Sequence, residues 1–148
     1  MAGNATPQFT KNGILGSILV TAANTSSAGG GTIATDIFKA FTADTTNGSF
    51  IEFVRCIAGA TTPTNTGASV MRIFASSITS GATTSANTIL IAEVALPVVA
   101  ADNATTAVNA IDVPCNFRLP AGWTILVTNH AAPAANTNWR ATVVGGDY

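Results

Sequence analysis

Seven carboxylates, one histidine and two cysteines are the groups in this 148-residue chain that could transfer protons, hold a metal or attack an electrophile. Their spacing argues against all three. Asp36, Asp44, Glu52, Glu93, Asp102, Asp112 and Asp147 form no D-x-D, E-x-x-H or EF-hand pattern, so neither zinc nor calcium binding is expected. His130 lies in a Pro- and Ala-rich loop with no Ser, Asp or Cys partner by pattern, and reads as a surface residue. Cys56 and Cys115 are far apart in sequence. With no export signal they read as reduced, buried thiols, a disulfide between adjacent strands being the alternative. "AGGGT", Ala28–Thr32, lacks the lysine and the strand-to-helix setting of a phosphate loop, and reads as a flexible connection. Trp123 and Trp139 could stack on a sugar, but each opens a predicted strand, which favours burial. No catalytic residue, metal site or cofactor is expected.

The elements that carry these residues are short strands. Helical periodicity is nearly absent, and eight apolar or alternating runs recur instead: Ile14–Ala22, Thr35–Ala43, Phe50–Ala58, Ser69–Ser77, Thr88–Leu96, Val108–Leu119, Trp123–Asn129 and Trp139–Val144. Clusters such as "NTSSAGGGT", "ADTTNGS" and "LPAGW" separate them. Many short strands with regular turn signals indicate a sandwich or barrel. The expected fold is all-β: an eight-stranded antiparallel jelly-roll sandwich of Greek-key type, with a polar N-terminal arm over 1–13 and a single domain over 14–148. In the jelly-roll pairing, B-I-D-G and C-H-E-F, the last run becomes a central strand. Trp139 would then enter the core, and Gly145-Gly146 would let the chain turn and fold Tyr148 back.

Composition narrows the partners. Charged residues make up only 9% of the chain, against about 25% in an ordinary soluble domain. Net charge is -1 and mean hydropathy is +0.40, which favours association. The six Lys and Arg are scattered singly, so no nucleic-acid interface is expected. The longest apolar stretch, Ile14–Ala23, is about half the ~20 residues of a membrane span, so no membrane role is expected. The N-terminus lacks a charged region followed by an apolar core, which predicts a protein made in the cytoplasm and not secreted.

Alternation separates two kinds of strand. In Val108–Leu119, Ile111, Val113, Cys115, Phe117 and Leu119 share one face, and Pro114 on the other suggests an edge strand or a bulge. Ser69–Ser77 and Thr88–Leu96 are apolar on both faces. As neighbours E and F they would present Val70, Phe74, Ile89 and Ile91 as one outward patch, with Arg72 and Glu93 placed to pair. Such a patch marks an interaction surface, expected here at or near the contact of a homotrimer. The competing expectation is that a long loop, "NTSSAGGGT" or "PVVAADNATTA", covers it within one chain.

The order of the pieces carries a resemblance. "TDIFKAFTADTTNGSFIEFVRCIAGATT", "SVMRIFASS", "TILIAEVALP", "IDVPCNFRLPAGWTILVT" and "NWRATVVGGDY" together resemble small jelly-roll virion proteins of tailed bacteriophages. The resemblance covers roughly Thr35 to Tyr148. It implies a capsid decoration or cement protein on the outside of the virion head, homotrimeric and seated on the major capsid protein. The first 34 residues lie outside it. There Phe9 and Lys11 are the expected capsid-contact residues of an arm that orders on its neighbour. The alternative function is a tail- or fibre-associated module that binds a receptor glycan, with His130, Asn136 and Asn138 as candidate polar contacts.

Overall fold

The computed structural model describes residues 10–62, 64–101 and 110–148. Among them the chain is all-β and contains no helix. Its twelve strands are β1 (Asn12–Val20), β2 (Gly31–Thr32), β3 (Phe38–Thr42), β4 (Ser49–Ala60), β5 (Thr64–Asn65), β6 (Ser69–Ser76), β7 (Ala82–Thr83), β8 (Thr88–Leu96), β9 (Ala100–Ala101), β10 (Ile111–Leu119), β11 (Thr124–Asn129) and β12 (Thr137–Asp147). Eight are long. They form two antiparallel four-stranded sheets, ordered β1-β12-β4-β10 and β3-β11-β6-β8. The two-residue strands, absent from the sequence expectation, pair as β2-β7 and β5-β9 and clip loops together.

Period-two alternation places the core. On the first sheet Val20, Ile51, Val54, Cys56, Trp139, Ala141 and Val143 point inward. On the second, Met71, Ile73, Ile125 and Val127 meet them. The Trp139 side chain is 2% exposed, so β12 is anchored at the centre of the sandwich. It bonds to β1 on one side and to β4 on the other. Pro114 lies on β10, which is both an edge strand and bulged. Cys115 and Asn116 together face the single residue Glu52 of β4, and Asn116 takes φ 52. The last turn before β11, Pro120 to Trp123, closes with Trp123 N donating to Pro120 O at 3.1 Å. Gly122 supplies the φ of +72 that a type II turn needs at its third position.

Gly145 and Gly146 correct an expectation. They neither turn the chain nor take positive φ; β12 continues through them to Asp147, its register with β4 shifting between Val144 and Gly145. Close approach explains them. A Cβ on Gly145 would collide with the carbonyl of Phe50, and one on Gly146 would lie 2.6 Å from Thr10 Cβ. Tyr148 is docked, as expected. Its amide donates to Gly48 O at 3.3 Å, and the Arg118 guanidinium sits 5.0 Å from its ring centroid.

Candidate interaction surfaces

The outward face of β6 and β8 departs from its expected form. Phe74 is fully buried and Arg72 is 8% exposed, while Val70 is half-buried. The cover is the connection between β1 and β3. Ile37 of this segment packs with Phe74 and Leu126 in a second, smaller apolar cluster, joined by Ile33. The strap is held by a hub at Asn24, whose Nδ2 donates to Gly30 O at 3.0 Å and to Asp36 Oδ2 at 3.1 Å. Asn24 Oδ1 accepts from Ser26 N at 2.8 Å, and Asp36 Oδ1 accepts from Thr32 N at 2.7 Å. The glycine run is therefore ordered, not a flexible connection. Gly29, at φ +78, lets the backbone lie against Thr88 and Phe74, where a Cβ would meet Thr88 Cγ2 at 2.7 Å. β2 on the strap also pairs with β7.

A bulge corrects the rest of the expected patch. Ile73 faces Ala92 but Phe74 faces Leu90, so Ile91 is the extra residue of β8. Beyond it the faces exchange. Leu90 takes the outward side with Phe74, and Ile89 falls opposite inward Ala75. Val70, Phe74, Ile89 and Ile91 thus do not form one contiguous exposed patch. What remains exposed is a run along the edge strand β8: Ile89 at 54%, Leu90 at 40% and Ile91 at 37%. Leu90, absent from the expected patch, belongs to this run. Arg72 and Glu93 are direct cross-strand partners, and Arg72 Nε meets Glu93 Oε1 at 2.5 Å. Arg72 Nη1 also donates to Asn24 O at 3.4 Å, tying the pair to the strap.

The outward face of the opposite sheet carries no such strap among the described residues. Leu15 there is 75% exposed, the most exposed large apolar side chain among the described residues. Arg55 bonds Asp112 through Nε at 2.7 Å and Nη2 at 2.8 Å, and its guanidinium lies 5.3 Å from the Phe53 ring centroid. The hydrogen bond from Arg55 holds the Asp112 carboxyl below its ordinary value, and the same contact raises Arg55. Lys11 is exposed just before β1, its amide donating to Asp147 O at 2.6 Å; Phe9 lies outside the described residues.

The remaining reactive groups are dispersed. No group of three or more His, Cys, Asp or Glu side chains that could hold a metal occurs among the described residues. His130 is exposed, its amide donating to Val70 O at 2.9 Å. Both cysteines are free thiols. Burial pushes Cys56 up to about 12 and also raises Cys115, which is half-buried on the core side of β10. Asp44 is lowered by the backbone amides of Asn47 and Thr46, which it accepts in the β3–β4 turn. An open apolar cleft of about 520 Å³ runs between β1 and β3, lined by Ile18, Leu19, Ile33 and Phe38. Its charged group, Lys39, donates to Thr79 O at 3.2 Å. No family model, characterised protein or solved structure matches the chain.

Proposed function

We propose that this chain is a non-enzymatic virion structural protein. In this reading it is a jelly-roll capsid decoration, or cement, protein that binds the outer surface of a tailed-phage head and stabilises it. The reading starts from the resemblance of Thr35–Tyr148, and one observation supports it: the strand order. A jelly roll pairs its eight long strands as B-I-D-G and C-H-E-F. Taken as B to I in chain order, β1-β12-β4-β10 and β3-β11-β6-β8 have that order, and the four short strands lie in connections between them. A fold hosts many functions, so the surfaces must carry the rest. The exposed run Ile89, Leu90 and Ile91 suits the contact of a homotrimer, and the exposed Lys11 suits a contact with the major capsid protein.

Copy number in purified virions tests the reading. Hundreds of copies per particle are expected of a decoration protein. A handful would instead indicate a tail or fibre part, such as a glycan-binding module. The trimer has its own test in Ile91→Lys, which places an unpaired charge in the contact and should lower the native mass threefold.

A further inference from the structure

The register of the first sheet aligns four apolar side chains straight across its outward face. Leu15 pairs with Val144, Val144 with Phe53, and Phe53 with Pro114. All four point away from the core, because their neighbours Ile14, Val143, Val54 and Val113 point into it or pack against it. The stripe crosses every strand of the sheet, and both its ends, Leu15 and Pro114, are exposed. Two further rows flank it. On one side run Ser17, Thr142, Arg55 and Asp112; on the other lie Phe50 and Arg118, with the exposed Glu52 beside Phe53 on that side.

We propose that this face is a docking surface for a second copy of the same chain, related by a two-fold axis lying along the stripe. Charge complementarity singles out this occupant and this axis. A rotation about the stripe superposes each strand on its own counterpart and exchanges the two flanks. The stripe then meets itself, Leu15 against Leu15 and Phe53 against Phe53. On β10 the rotation brings Asp112 of one copy toward Arg118 of the other, twice per dimer. On β4 it brings Arg55 toward the Phe50 ring. Asp112 lies two residues from Pro114 and Arg118 four, and the bulge at Cys115–Asn116 shortens the longer arm; within one chain Arg55 holds Asp112 and Arg118 donates to Asn47 O, so the contact exchanges these bonds for the one across the axis. An axis along the strands would instead set β1 against β10 and leave Asp112 and Arg118 facing the nearly uncharged β1. The inference does not depend on the virion reading. It adds a two-fold contact to any association through β8.

The native mass of the full chain at micromolar concentration tests it. The wild type should hold an even number of chains: two if this contact acts alone, six if the β8 trimer also forms. One chain or three overturns the proposal. Leu15→Arg should halve the mass without lowering the melting temperature, since Leu15 is 75% exposed. An unchanged mass, or an unchanged mass with lost stability because the chain's own N-terminal segment covers the stripe, overturns it. Asp112→Arg and Arg118→Asp should each halve the mass, the first by opposing arginines and the second by opposing aspartates. Mixed one to one they should regain the wild-type mass, because each then meets its complement across the axis. Failure of the mixture to reassemble overturns the two-fold geometry.

Discussion

Phe74 and Phe53 occupy matching places, each pointing outward from the strand next to the edge of its sheet. Phe74 is fully buried beneath the Asn24–Ile37 strap, whereas Phe53 is only partly buried, with the Arg55 guanidinium over its ring. The difference lies in the connections. The β1–β3 connection is long, brings two isoleucines, and has a side-chain hub to fix its path. A strand apolar on both faces thus needs a cover, but the chain itself can supply one. The same strand pattern marks a binding surface on one sheet and an interior on the other.

Four experiments break or sharpen this contrast, the largest effect first. Phe74→Ala should cost ~3–5 kcal/mol, the range for deleting a buried aromatic, measured by chemical denaturation. A cost near that of an exposed site would mean the strap does not cover it. Asn24→Ala removes the hub and should cost ~1–3 kcal/mol, because it leaves buried polar groups without partners. Amide exchange should then quicken across Gly29–Ile37 and stay unchanged on β12; uniform quickening would refute a local role for the hub. Phe53→Ala should cost less, ~1–2 kcal/mol in the separated chain, since its ring is only partly buried. A loss equal to that of Phe74→Ala would erase the contrast.

The smallest effect is set by pH. Arg55 lowers the folded-state pKa of Asp112 beneath its ordinary 3.8. The pair therefore contributes fully above that value, and its contribution is lost as pH falls through the folded pKa. Asp112→Asn should accordingly match wild-type stability in strong acid and fall slightly below it near neutrality. High salt should shrink the difference, as both groups are exposed. A gap that widens on acidification would contradict the pairing.

Strand positions were legible because alternation and turn residues are local signals. The run Thr88–Leu96 matches its strand to the residue, and Trp139 enters the core from a central strand as its pattern predicts. Bulges were not legible. Nothing in "TILIAEVAL" marks Ile91 as the extra residue, since a bulge is set by the register with the partner strand. Strict alternation therefore puts Ile89 outward with Ile91, whereas the bulge turns Ile89 to the side of Ala75 and divides the expected patch. The strap was legible only as an alternative, because its hub joins Asn24 to Asp36 through side chains that periodicity does not read. Gly145 and Gly146 read as a turn signal, but close approach of Phe50 and Thr10 is what requires them. A glycine required by another segment's backbone looks, in sequence, like one required by a turn.

The central position of β12 also constrains how the protein is made. Asn12 pairs with Asp147 and Val20 with Trp139, so these partners lie more than a hundred residues apart in synthesis. Until the ribosome has delivered Thr137 onward, β1 has no neighbour in its sheet and β4 lacks one of its two. The nascent chain therefore presents two unpaired strand edges through most of translation, a state prone to joining other nascent chains. Closure by such distant partners is intrinsically slow. Cellular yield should thus be governed less by the stability of the finished sandwich than by how well growing chains are kept apart before their final strand arrives.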